Sequence, residues 1–186
     1  MTKSWKTELP MWATYSRIFL GPLLLPFAIW IPNYEWAGWL AAVIFILGSL
    51  TDWLDGYWAR KFNCESNMGK LMDPIADKIL VLGALVVLFA LERTDSLTMF
   101  LLLSRDIFIG GIRSVAAANQ VIIAAQPFGK WKTGFQMVAI PCLFIFHPTL
   151  GLPLAEIGKS LLWLSVVLSL ISGVQYTWGY YRGRKV

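Results

Sequence analysis

The chain has 186 residues, of which 57% are hydrophobic and 15% charged, with a formal net charge of +5 and a mean hydropathy of +0.60. A soluble domain carries about 25% charged residues and fewer long apolar runs, so the composition argues against a water-soluble enzyme. The basic excess is not a nucleic-acid signature either, because it is distributed by segment: most basic residues fall on one side of the apolar runs.

In chain order, residues 2–10 set Trp5 and Leu9 among Lys3, Lys6 and Glu8, which predicts a short amphipathic helix lying on the inner leaflet. Six apolar segments follow, at about 12–31, 36–60, 71–91, 97–120, 134–146 with its flanks, and 154–181. Each approaches the roughly 20 residues that a helical crossing needs. The fourth is interrupted by Arg105, Asp106 and Arg113, and the fifth is short. The expected fold is an all-α integral membrane protein of six transmembrane helices, forming a single domain over residues 1–186. The first apolar run contains Pro22 and Pro26 and lacks a small-residue cleavage site, so it is expected to be retained and not cleaved as a signal.

With the amino terminus inside, Lys3, Lys6, Arg60, Lys61, Lys70, Lys130, Lys132, Arg182, Arg184 and Lys185 fall on cytoplasmic pieces, and only Arg93 and Lys159 on outer loops. That bias puts both termini in the cytoplasm and the positive charge against anionic lipid. Cys64 and Cys142 have no metal-ligand spacing and are expected reduced and unpaired, and His147 reads as an interface residue.

The informative departure from a greasy sequence lies between residues 52 and 77. Asp52 and Asp55 are three apart and Asp73 and Asp77 four apart, so each pair shares a helix face. The connection from Lys61 to Lys70 is short, so the second and third spans should be antiparallel neighbours with all four carboxylates at one end. Four carboxylates near hydrocarbon repel one another unless cations fill the pocket, and oxygen-only ligands favour a hard ion such as Mg²⁺ or Mn²⁺. From Trp36 to Thr51 is about 24 Å of helix, which places Asp52 near the cytoplasmic boundary, at the depth of lipid phosphates. The chemistry expected there acts on a phospholipid head group. Gly56 and Ala59 let a helix or a nucleotide approach closely, and Arg60 either meets a phosphate or sets topology.

The whole pattern, Asp52-x2-Asp55-Gly56-x2-Ala59-Arg60-x8-Gly69-x3-Asp73-x3-Asp77, resembles the signature of the CDP-alcohol phosphotransferase family. Two further stretches, Pro10-x3-Thr14-x2-Arg17 and Gly129-Lys130-Trp131-Lys132-Thr133-x2-Gln136-Met137, resemble the branch of that family whose acceptor is sn-glycerol 3-phosphate. The stretch from Arg105-Asp106 to Arg113 is similar too, with Asp106 where glutamate is usual and Ile112 where leucine is usual.

The resemblance implies transfer of a phosphatidyl group from CDP-diacylglycerol to that acceptor, with release of CMP, by a homodimer, and the chain's small size and simplicity point to a bacterial inner membrane. It implies two metal ions, bridged by Asp52 and Asp73 and completed by Asp55 and Asp77, with Asp77 also the general base. It implies a CDP-lipid site along Gly56, Arg60 and Ser66, bordered by Thr14 and Arg17. Ser66 reads equally as a helix cap, and Gly69 as backbone geometry. For the acceptor phosphate the candidates are Arg105, Arg113, Lys130 and Lys132. Asp106 and Arg113, seven apart, share a helix face and are candidates to pair, which would leave Arg105 as the better ligand. Lys130 and Lys132 also read as anchors, and Lys78 either neutralises the aspartates or faces lipid.

Two alternatives define the tests. Other branches of the family, using serine, inositol phosphate or phosphatidylglycerol, would share the metal site and differ in the Arg105–Lys132 pocket. A divalent-cation channel would also hold membrane carboxylates, but Glu35, Glu92, Asp95 and Glu156 are scattered on the outer side and form no matching set.

Overall fold

The computed structural model describes residues 9–62, 67–118, 127–148 and 151–183. These form seven helices: α1 (Leu9–Leu23), α2 (Phe27–Trp30), α3 (Glu35–Phe62), α4 (Asn67–Ala90), α5 (Ser96–Ala118), α6 (Pro127–Ile145) and α7 (Leu154–Gly183). The expected helix over residues 2–10 lies largely outside the described residues.

Local chemistry explains the boundaries. The first apolar segment, read as one span, is broken into α1 and α2. Pro26 has no N–H for the carbonyl of Pro22, which instead accepts from Leu25 at 3.0 Å, and the chain tightens into a turn. At the end of α4, Arg93 N–H bonds to Leu88 O at 2.9 Å and Glu92 N–H to Phe89 O at 3.0 Å, the paired bonds of a Schellman motif. Glu92 occupies its left-handed position with φ of 57°. Asp95 then caps α5: its carboxylate accepts from the Thr98 N–H and from the Thr98 hydroxyl, both at 2.7 Å. Pro127 opens α6, where a missing N–H costs nothing, so this helix is longer than its apolar stretch.

Small residues set the packing. The α1 helix packs against both α3 and α4, more extensively than those two pack against each other, so the expected hairpin has α1 laid along it. A Cβ on Gly83 would lie 2.4 Å from the Gly21 carbonyl oxygen, and one on Gly21 would lie 2.8 Å from the Ile79 carbonyl oxygen. Backbones therefore touch where α1 crosses α4, a contact that any side chain would prevent. The remaining main contacts join α6 to α7, α3 to α6 and α5 to α7, and one buried apolar cluster, including Leu24, Phe27, Phe45, Leu85, Leu102, Leu143 and Val166, draws on the turn after α1 and on α2 to α7.

Outward faces are apolar as well: Phe19, Ile29, Phe100, Ile107 and Val174 are each about two-thirds exposed or more. So much exposed hydrocarbon is characteristic of a surface that meets lipid. By length and composition one described helix segment, Leu154–Gly179, suffices to cross a bilayer, with mean hydropathy 1.8. Apolar stretches also run over Tyr15–Trp30, Glu35–Thr51 and Lys78–Ala90, the last two bounded by the charged stretch between them. The observed architecture is thus all-α and membrane-like.

Candidate active site

Three helices meet at a common height. The Cβ position of Gly48 on α3 lies 2.9 Å from Leu80 Cδ2 on α4 and 3.3 Å from Leu20 Cδ1 on α1. One helical turn from that height, about 5 Å along each axis, stand Arg17 on α1, Asp52 on α3 and Asp77 on α4. For α3 and α4 the turn runs toward their connection, because α3 ends there and α4 begins there. Asp55 and Asp73 follow a turn further on. Arg17 is 1% exposed, and a guanidinium buried that deeply requires polar compensation. The side chains of Thr14, Asp52, Asp55, Arg60, Asp73 and Asp77, with Gly56, and all of Ser66, lie outside the described residues.

A second polar cluster is reached from α4 through Lys78, the residue after Asp77. Its ammonium donates to the Asp106 backbone oxygen on α5 at 2.8 Å. The Asp106 carboxylate accepts from Lys132 Nζ on α6 at 2.5 and 2.6 Å and from Arg105 Nη1 at 3.0 Å. Arg105 also donates through Nε to the Ser169 carbonyl at 3.0 Å and through Nη2 to the Ser172 hydroxyl, both on α7. Four helices are tied together around Asp106. Lys132 and Arg105 bond its carboxylate and Lys78 its backbone oxygen, an arrangement of three cations and one anion that leaves the cluster with a net attraction for anions.

The acceptor candidates separate by helix face. Adjacent turns of α6 bury Lys132 and Gln136, whereas Lys130 and Trp131 are exposed. Lys132 and Arg105 are brought together, and Lys130 is not brought to them. Arg113 lies exposed with its guanidinium 5.4 Å from the Tyr176 ring centroid on α7. The suggested Asp106–Arg113 pairing gives way to a tertiary one, since Lys132 and Arg105 take the Asp106 carboxylate. Lys78 turns to α5, an option its neighbourhood to Asp77 did not suggest. Gln136 was quoted only as part of a motif, yet it is 3% exposed, and its Nε2 has no hydrogen-bond partner among the described residues. Its spacing of four from Lys132 was the signal that could have marked it.

The described helices form an all-α, membrane-like bundle with a buried polar cluster between them. The family is specific: the CDP-alcohol phosphatidyltransferase model matches residues 7–171, and the chain belongs to that family. Among its relatives, a CDP-diacylglycerol–glycerol-3-phosphate 3-phosphatidyltransferase of Bacillus subtilis is 33% identical over 181 residues, covering 91% of this chain and 93% of that protein. The enzyme of the same name from Rickettsia felis is 34% identical, with the same coverage. That of Cereibacter sphaeroides is 41% identical over 74% of this chain and 63% of its own length.

Proposed function

We propose that the chain transfers the phosphatidyl group of CDP-diacylglycerol to the 1-hydroxyl of sn-glycerol 3-phosphate, giving phosphatidylglycerophosphate and CMP. The observation that carries the choice of acceptor is the buried Arg105–Asp106–Lys132 cluster, joined to α4 by Lys78. A phosphate monoester needs buried cations, and here two of them are oriented by a shared carboxylate. The names of the relatives agree with this acceptor.

The family generally uses divalent metal ions, and an all-carboxylate donor set on two helices fits Mg²⁺ or Mn²⁺. In this reading Asp52, Asp55, Asp73 and Asp77 are the residues that would hold such ions. When bound, such ions neutralise the pyrophosphate and the departing CMP. The protein's own residues do the rest. Arg105 and Lys132, with Arg113 and Lys130 nearer the rim, hold the acceptor phosphate. Gly56, Arg60 and Ser66, bordered by Thr14 and Arg17, hold the cytidine diphosphate. The acceptor's 1-hydroxyl oxygen bonds to the lipid-side phosphorus as the bond from that phosphorus to the bridging oxygen breaks, and Asp77 takes the proton. The reading extends to six spans, a homodimer, and a cytoplasmic membrane with the site on the cytoplasmic side. The ten-to-two distribution of basic residues supports that orientation.

The test is CMP release by the purified protein from CDP-diacylglycerol, with glycerol 3-phosphate, serine, inositol phosphate or phosphatidylglycerol as acceptor. Mg²⁺, Mn²⁺ and EDTA are compared for each. Activity should need glycerol 3-phosphate and a divalent ion, and should fall about 10²–10⁴-fold in Asp77→Asn. Turnover with another acceptor would retire the phosphate-pocket assignment. Undiminished activity in Asp77→Asn would retire the base.

A further inference from the structure

The opposite end of the bundle holds a feature that the reaction does not use. Roughly 20 Å of helix separates Asp77 from the end of α4. Beyond it, the α4–α5 turn and α7 enclose a cavity of about 650 Å³. The two basic residues that the sequence assigns to outer loops, Arg93 and Lys159, both line it. They converge on one ring as well: the Arg93 guanidinium carbon lies 4.6 Å and Lys159 Nζ 5.8 Å from the Phe146 centroid. Phe146 is held at φ of 62°, a left-handed conformation in which a bulky residue is strained.

Arg93 is immobilised from behind. Its Nη1 donates to the carbonyls of Leu143 and Phe144 at 2.9 and 2.6 Å, closing the end of α6. Nε and Nη2 carry three further N–H bonds. Burial pushes its pKa down from the ordinary value, the cost of keeping a cation partly out of water. Thr94, also lining the cavity, has a buried hydroxyl with no hydrogen-bond partner among the described residues. Of the carboxylates present, Asp95 is committed to Thr98 and Glu92 is exposed. Phe89, Leu162 and Trp163 give the same cavity an apolar wall.

We propose that this cavity binds the phosphate of a membrane-lipid head group from the leaflet opposite the aspartates. Arg93 and Lys159 grip the phosphate, the Thr94 hydroxyl donates to it, and the apolar wall receives the first part of the acyl chains. The site rests on the membrane reading above but is independent of the acceptor.

The test is native mass spectrometry of the full chain in detergent, titrated with dioleoylphosphatidylglycerol, with dioleoylglycerol as a headless control and inorganic phosphate as competitor. Lipid retained by the parent should be held about tenfold more weakly in Lys159→Gln, the loss of one charge-assisted contact. Thr94→Val should weaken it by a smaller factor. Both variants should release CMP at the parental rate, which shows that they are folded and keeps this result separate from any failure of the active-site reading. Arg93→Gln removes a support of α6 as well, so the exposed Lys159 and the loop residue Thr94 carry the decision. Equal retention of phosphatidylglycerol by the parent and both variants would overturn the proposal. So would equal retention of dioleoylglycerol, or full displacement of the lipid by inorganic phosphate, which would make the cavity a free-anion site.

Discussion

The two sides of this bundle are held together by opposite means. Where α1 crosses α4 the contact is dry and built from absence: Gly21 and Gly83 bring backbone against backbone, and Gly48 admits Leu80 and Leu20. Where α5, α6 and α7 meet, the contact is built from charge: Asp106, Lys132, Arg105 and Ser172 are bonded in the interior. Tight apolar contact fixes distance, which suits helices that must hold carboxylates in register. Buried charge stabilises little on balance, since desolvation offsets attraction, so its retention is better explained by a ligand that needs it.

The largest effect should come from breaking the charged side at one point. Asp106→Ala leaves Lys132 and Arg105 without their shared anion and should cost about 3–5 kcal/mol, read as a fall in thermal unfolding midpoint in detergent. Replacing both ends of the pair sharpens the contrast. Asp106→Leu with Lys132→Met should recover most of that stability, yet raise KM for glycerol 3-phosphate about tenfold or more while leaving KM for CDP-diacylglycerol near its parental value. Full activity in that double variant would make the cluster structural and remove the contrast. On the dry side, Gly83→Val drives a side chain into the Gly21 carbonyl and should cost about 1–3 kcal/mol, with a matching loss of CMP release.

Smaller effects belong to the helix ends. Glu92→Gly relieves the left-handed strain at the Schellman position and should stabilise by about 1 kcal/mol. Asp95→Ala removes the α5 cap and should cost about 1 kcal/mol at neutral pH. Burial pushes the Asp95 carboxyl up, but the Thr98 hydroxyl and backbone bonds outweigh it and hold the pKa below the usual value. The cap's contribution is therefore fully present above about pH 4, the unfolded value, and is lost as pH falls through the folded one. Parent and variant should converge in stability at that acid end.

How much of this was legible in the chain depends on the range of the interaction involved. Helices, their apolar runs and the aspartate spacing are short-range patterns, and the family signature sits within 26 consecutive residues. Proline chemistry was equally local, yet Pro26 was read only as an argument against a cleaved signal and not as a break in the span, because the run is apolar on both sides of it. The partner of Asp106 was not legible. Sequence spacing offered Arg113, seven residues on, while the structure supplies Lys132 from another helix. Nothing in either helix alone says which of its faces docks against which neighbour. The same limit hid the division between Lys130 and Lys132, two apart in the chain but turned to different sides of α6.

One consequence follows from the composition of α3. It is apolar only as far as Thr51, then continues as an unbroken helix through charged residues to Phe62, about 16 Å further. In the membrane reading proposed above, a single rod passes from oil to water, with the aspartates beginning at the crossover. CDP-diacylglycerol has the same division within one molecule, with oily tails, a water-seeking nucleotide and the scissile phosphate bond between them. An enzyme framed on such a rod needs no separate device to find the bond, because each half of the substrate sorts itself into the solvent it prefers and leaves the reactive phosphorus at the boundary.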